Sequence, residues 1–174
     1  MIEQFLANIE RKAYQMALMA TKNEHDALDL VQNAMMKLVE KYHHKPENEL
    51  KPLFYAILQN QIKEWYRRAT QTSKWFFWQK TAYDDEEELE VTITQGVEET
   101  SPEDDMQQQQ MSEQLLNVLE QLPVKQQQCF LLRSWEGLSV KETAKVMGCS
   151  EGSVKTHMSR ASHKLAEIIN EQEV

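Results

Sequence analysis

A short amphipathic pattern that stops at Gly148-Cys149, followed at once by a longer cationic one from Ser150, constrains this chain most. Ser139 stands three residues before Glu142, the spacing of a capping box in which hydroxyl and carboxylate each satisfy an orphan backbone N–H. Val140, Ala144 and Met147 share one face of the helix that follows. Ala144 is small where a second helix must cross closely, and Gly148 supplies the positive φ that ends the first. Ser150 caps the next helix, whose inner stripe reads Val154, Met158, Ala161 and Leu165. Ser153, Lys155, Thr156, His157, Ser159, Arg160, His163 and Lys164 are left to project outward. This is a helix-turn-helix pattern, and such an outer face suits the phosphates and base edges of a DNA major groove. The blander alternative is a helical hairpin with a solvated face. The order of cap, small residue, glycine turn and cations favours DNA.

The rest of the composition fits a helical protein. The 174 residues include only four glycines and four prolines, so helix breakers are scarce. No apolar run reaches the roughly 18 residues of a membrane span, and Met1 to Leu6 lacks the basic and apolar parts of a signal peptide. A cytoplasmic chain without membrane insertion is the expectation. Cys129 and Cys149 then read as reduced, space-filling side chains rather than a redox pair.

The net charge of −9 looks unsuited to DNA until the chain is divided. Residues 1–74 carry eleven basic against nine acidic side chains, residues 113–174 seven against eight. Between them, residues 75–112 carry one lysine against eleven acids. Acidity is therefore a property of one segment, and the whole-chain value says little about either end. Asp84 to Glu88, Ser101 to Asp105 and Gln107 to Gln110 lack apolar period, which predicts a flexible acidic linker. A mimic of DNA that competes for basic surfaces is the sharper alternative. The aromatic run Trp75-Phe-Phe-Trp78 reads as a cap on the first domain's core, or else as an exposed patch for a partner.

The N-terminal part predicts three or four helices. Ile2, Phe5, Leu6, Ile9, Ala13, Met16, Ala17 and Ala20 form one face of the first. Asn23 and Asp26 can cap a second, with a stripe through Ala27/Leu28, Val31, Ala34/Met35, Leu38/Val39 and Tyr42. Lys45-Pro46 interrupts the chain, and a third helix is expected after Pro52, through Leu53/Phe54, Ile57/Leu58, Ile62 and Trp65/Tyr66. The fold class is thus all-α: two small helical domains, residues 1–78 and 112–174, joined by a linker over 79–111. The second is a tetrahelical helix-turn-helix domain.

Leu119-Glu-Gln-Leu-Pro123, Gln126 to Arg133, Glu136-Gly-Leu-Ser139 and Ser150 to Thr156 resemble region 4 of bacterial RNA polymerase sigma factors, the extracytoplasmic-function (ECF) group above all. The same helices also resemble the DNA-binding domain of LuxR-type activators. His25 to Gln32, with Ala34, Lys37 and Val39, is similar to the part of sigma region 2 that binds the polymerase's largest subunit. Leu53 to Arg68 resembles the part that melts and holds the −10 promoter element. The absence of a receiver-like alternation of strands and helices further weakens the LuxR-type alternative.

The resemblance implies a non-enzymatic transcription initiation factor that needs no cofactor or metal. Its implied partners are core RNA polymerase, promoter DNA and an anti-sigma factor. Region 4 would read the −35 element through Ser153, Lys155, Thr156, His157, Ser159, Arg160 and Lys164. Region 2 would hold −10 bases through Asn60, Lys63, Tyr66, Arg67 and Arg68, since an aromatic ring stacks on an unpaired base while cations neutralise phosphates. Trp65 reads as core. Asp26, Asp29, Leu30, Gln32, Asn33 and Lys37 would meet the polymerase, polar rim contacts setting register around apolar burial. The linker is implied to thread the polymerase's positively charged RNA-exit path. No glycine-rich phosphate loop, nucleophile triad or Cys/His metal spacing supports an enzyme, and a helical adaptor would leave Lys155, Arg160 and Lys164 without a purpose.

Relatives often carry a denser arginine cluster where this chain has His157, Ser162 and His163. Fewer fixed cations mean fewer released counterions, so the isolated chain is expected to bind promoter duplex weakly at physiological salt. Mobility shift with the purified chain checks this, and tight sequence-specific binding without polymerase would contradict it.

Overall fold

The computed structural model describes residues 1–69 and 112–173. The chain divides into two compact units, Met1–Trp75 and Phe76–Val174, each with its own helical core. Helices and no strand occur among the described residues, as the all-α expectation required. The Trp75 to Trp78 run, the acidic stretch and the expected boundary at residue 78 lie outside the described residues.

In the first unit α1 (Ile2–Thr21), α2 (Glu24–Tyr42) and α3 (Glu47–Ala69) each pack against the other two. Small side chains set the close approach: Ala13, Ala17 and Ala20 of α1 and Ala27 and Ala34 of α2 are all buried. Larger ones from α3, Phe54, Tyr55, Leu58 and Ile62, fill the remaining volume. Phe54 meets Phe5 and Tyr55 edge-on, at centroid distances of 6.4 and 5.2 Å. Each such pair adds roughly 0.5–1.5 kcal/mol beyond its buried area.

The turn from α1 to α2 is closed by local hydrogen bonds. Lys22 takes the left-handed conformation at φ 56°, and its N–H donates to the Leu18 carbonyl at 2.7 Å. Asn23 caps α2 as expected, its Oδ1 accepting from the Asp26 N–H at 3.0 Å. The inner face of α2 is Ala27, Leu30, Val31, Ala34 and Leu38. Leu28 and Val39, paired with inner positions in the sequence reading, are exposed instead, while Ile2 and Leu6 of α1 are only half-buried.

The third helix starts a full turn earlier than expected, at Glu47, and carries Pro52 inside it. Proline there removes one helical hydrogen bond and crowds the preceding turn, a cost of about 3 kcal/mol. Leu50 offsets it, because the added turn buries that side chain completely. At the other end the two aromatics exchange their expected roles. Tyr66, a candidate for stacking on bases, is buried, and its hydroxyl donates to the Ala20 carbonyl of α1 at 2.6 Å. Trp65, read as core, is half-exposed, and its indole N–H donates to the Asp26 carboxylate of α2 at 2.9 Å. Neighbours on a helix differ by about 100°, so only one can lie on the stripe, and the inner slot takes the residue whose polar tip finds a buried acceptor.

In the second unit α4 (Glu113–Leu119), α5 (Val124–Phe130), α6 (Val140–Met147) and α7 (Glu151–Glu173) form four helices, and α5 runs on into a π-helical turn, Leu131–Trp135. Ser112 caps α4 through its hydroxyl, which accepts from the Leu115 N–H at 3.2 Å. The shorter helices α4, α5 and α6 all pack on α7. Val118, Leu119, Leu122, Leu131, Leu132 and Trp135 are buried, as are Val154, Ala161, Leu165 and Ile168 of α7.

Burial pushes the Tyr66 phenol up to about 12 from its ordinary 10. A pKa raised by folding means the folded state holds the proton more tightly, so the contribution is complete below pH 10 and lost as pH rises through 12. Tyr66→Phe is expected to lower stability by about 0.5–1.5 kcal/mol at neutral pH through the lost bond to Ala20. The same variant should lose less stability than the wild type between pH 10 and 12. Urea unfolding as a function of pH checks both; parallel pH profiles would contradict the second.

Candidate nucleic-acid interface

The helix-turn-helix forms as its local chemistry dictates. The Ser139 hydroxyl accepts from the Glu142 N–H and the Glu142 carboxylate accepts from the Ser139 N–H, both at 3.0 Å, completing the capping box. Gly148 sits at φ 67°, and the following Cys149 N–H donates to the Ala144 carbonyl at 3.0 Å, the bond that turns the chain back. Ser150 then caps α7, accepting from the Ser153 N–H at 3.0 Å.

Ahead of this motif, a buried arginine fixes the approach to α6. Arg133 donates from Nη1 to the Leu138 carbonyl at 2.6 Å, while the Leu138 N–H donates to the Leu132 carbonyl at 3.0 Å. Gly137, at φ 71°, allows the chain to fold back between them. These contacts account for the Arg133 to Leu138 stretch, to which sequence reasoning gave no structural role.

The outer face of α7 is narrower than expected. Lys155, His163 and Lys164 are exposed, and Ser159 and Arg160 are half-buried. Ser153, Thr156 and His157 do not project outward: they are buried, Thr156 and His157 at 1% exposure each. Because α4, α5 and α6 cover α7 from several directions, the covered arc is wider than the apolar stripe that marks it. Polar side chains enter that arc by satisfying themselves locally. The Thr156 hydroxyl donates to the Gly152 carbonyl at 3.0 Å, and the Ser150 and Ser153 hydroxyls lie 3.0 Å apart. Met158, expected in the buried stripe, is half-buried. Glu151 was not singled out from sequence, yet it is exposed one helical turn before Lys155. The i, i+4 spacing of Glu151, Lys155 and Ser159 was the signal for a single outer row.

The candidate residues of the first unit fall on two surfaces. On α2, Asp29, Gln32, Asn33 and Lys37 are exposed, whereas Leu30 is buried and belongs to the core. Asp26 is half-buried and holds Trp65. The apolar part of this surface comes from Leu28, Met36 and Val39, at 44, 60 and 40% exposure. The sequence reading had Leu28 and Val39 in the polymerase-binding resemblance but also on the inner stripe, and did not single out Met36. With Gln32 these three follow the spacing of one helix face.

At the end of α3, Asn60, Arg67 and Arg68 are exposed, Lys63 and Trp65 half-buried, and Tyr66 absent from the surface. Glu64 binds both arginines. Arg67 donates to it through Nε at 3.0 Å and through Nη2, and Arg68 through Nε at 3.1 Å. The Arg67 guanidinium above all holds the Glu64 carboxyl down at about 2, against an opposing effect of desolvation and with Arg68 adding to the lowering. Among the described residues no group of three or more potential ligands could hold a metal, and no helix is long and apolar enough to cross a membrane.

The two units match two family models. Residues 1–72 match Sigma-70 region 2, and residues 112–165 match Sigma-70, region 4. The RNA polymerase sigma-E factor of Streptomyces coelicolor is 31% identical over 144 residues, 82% of this chain and 71% of that protein. The ECF RNA polymerase sigma factor BldN of the same species is 41% identical over 85 residues, which cover 47% of this chain but only 32% of that relative. The RNA polymerase sigma factor SigV of Bacillus subtilis is 27% identical over 85% of this chain and 78% of its own length. Among solved structures, the fold is similar to the sigma factor RpoE of Bartonella quintana, in complex with the anti-sigma factor NepR. That likeness has a TM-score of 0.62 at 23% identity and covers 97% of this chain and 96% of that one.

Removing Arg133 would leave the buried Leu138 carbonyl without its donor. Arg133→Ala is expected to destabilise the second unit by about 1–3 kcal/mol. Hydrogen exchange should show faster opening of amides in residues 112–173 and unchanged protection in residues 1–69. Equal loosening of both would contradict a local role.

Proposed function

The chain belongs to the extracytoplasmic-function type of RNA polymerase sigma factors, and we propose on that premise which of its surfaces perform each part of promoter recognition. It acts as a transcription initiation factor: it binds core RNA polymerase and directs the enzyme to promoters, while the polymerase carries out the chemistry. One observation carries this reading. A single chain contains a region 2 unit and a region 4 unit, each with exposed cations on one helix: Arg67 and Arg68 at the end of α3, Lys155 and Lys164 on α7. The LuxR-type alternative accounts for the second unit alone.

The α2 surface is the docking site for polymerase. Leu28, Met36 and Val39 supply apolar area, and Asp29, Gln32, Asn33 and Lys37 form its polar rim. Burial of three such side chains provides affinity, and the charged rim provides register. Asp26 serves the end of α3 instead, since its carboxylate orients Trp65.

The end of α3 meets the −10 element. Trp65, rather than Tyr66, offers the aromatic face to an unpaired base, with Asn60, Lys63, Arg67 and Arg68 around it for hydrogen bonds and phosphates. Stacking of that kind is worth about 1–3 kcal/mol per base. On α7, Lys155, Ser159, Arg160 and Lys164 meet the −35 element. Ser153, Thr156 and His157 lie buried beneath this row and do not reach the groove. An anti-sigma protein covering these surfaces is the third partner.

Transcription in vitro tests the whole reading, with core polymerase supplied with or without the chain on genomic promoters. Promoter-selective transcripts should require the chain, and no transcripts together with no co-purification with core would refute it. Lys155→Ala should weaken promoter binding of the holoenzyme and reduce the magnitude of its log–log salt slope by about 1. An unchanged slope would remove Lys155 from the DNA contact.

A further inference from the structure

Glu64 is the one acidic side chain in the run from Asn60 to Arg68, within the cationic end of α3. It lies one turn before two arginines, the order along a helix in which a carboxylate and a cation attract best. One carboxylate accepts three N–H groups from two guanidiniums, two from Arg67 and one from Arg68. All three side chains are well exposed to solvent, Glu64 the least at 39%. Exposed pairs of this kind add little to folding stability, so their consequence must be sought in what the guanidiniums can bind.

We propose that Glu64 is a positioning and specificity residue that restrains Arg67 and Arg68 from non-promoter DNA. The proposal rests on the reading that this end of α3 meets the promoter. Two free guanidiniums on an exposed helix end would attract any duplex, because phosphate contacts carry no sequence information. With Glu64 between them the local charge falls from two positive to one. Any phosphate that approaches must displace a carboxylate already held in charge-assisted hydrogen bonds. Random duplex offers nothing to offset that displacement. A melted −10 strand offers base contacts as well as phosphates, so there the exchange proceeds. The restraint is unequal: Arg67 gives the carboxylate two donors and Arg68 only Nε–H, so Arg68 is the first to change partner. Its pull on random DNA is lost without loss of the promoter contact, which raises discrimination.

The test uses the reconstituted holoenzyme, a labelled random-sequence duplex and a promoter fragment selected by the transcription assay above. Glu64→Gln keeps the length and helix preference of the side chain and removes its charge. It should bind random duplex on the order of fivefold tighter at ~0.1 M salt and steepen the log–log salt slope by about 1, one added phosphate contact. Promoter affinity should rise less, so the ratio of promoter to random binding falls. Glu64→Asp, which keeps the charge, should restore part of that ratio. An unchanged slope and ratio in Glu64→Gln would overturn the proposal. The double variant Arg67→Ala, Arg68→Ala separates the two layers. If it flattens the promoter's slope while Glu64→Gln does nothing, the restraint alone fails; if it leaves the promoter's slope unchanged too, the −10 reading of α3 fails with it.

Discussion

The second unit depends on one helix serving two purposes. α4, α5 and α6 are short, and each finds its packing partner in α7, so α7 is the centre of a small domain's core. The same helix carries the cations that make the domain a DNA reader. A side chain cannot fill both positions, and packing takes the larger share. What remains for the groove is a narrow row led by Lys155, with Ser159 and half-buried Arg160 beside it. On the proposed function, a reader with so few outward groups gains affinity from a partner that supplies the rest of the interface.

The turn itself was legible in the sequence because backbone chemistry admits few solutions there. Ser139 with Glu142, Gly148 and Ser150 each answer a specific orphan N–H or a positive φ, and each appears in the structure as read. Burial was less legible. Polarity was the only guide to which residues of α7 face outward, and it misplaced Ser153, Thr156 and His157. A hydroxyl that donates to the carbonyl one turn back loses the need for water, so Thr156 reads as polar and behaves as core. The recognition helix is where such concealment matters most, since its polar residues are the ones that sequence assigns to DNA.

The first unit shows the reverse error. Along α2 the apolar residues are more numerous than one stripe requires, and Leu28 and Val39 were assigned inward while Met36 was left unassigned. Leu28, Met36 and Val39 instead form a second, exposed stripe. A helix with two apolar faces is expected when one packs into its own domain and the other waits for a partner. Excess hydrophobicity on α2 was thus the readable sign of a docking surface, and the sequence reading absorbed it into the core. Trp65 and Tyr66 illustrate a finer ambiguity, because adjacent aromatics fit one stripe equally well. The hydrogen-bond partners decide: the Ala20 carbonyl lies inside for Tyr66, and the Asp26 carboxylate lies at the rim for Trp65.

That rim contact joins surfaces that sequence treats as separate. Asp26 stands in the first turn of α2, the helix of the docking surface, and Trp65 stands on α3, the helix of the −10 surface. On the proposed assignment, their hydrogen bond orients the aromatic face offered to a base from the helix proposed to meet the polymerase. Next to it, Glu64 sets how much positive charge the same end of α3 displays. Orientation and charge at this point are therefore both fixed by carboxylates, in a region whose cations first drew attention. If the two proposed DNA contacts are each weak, selectivity would follow from such restraints on the cations more than from their number.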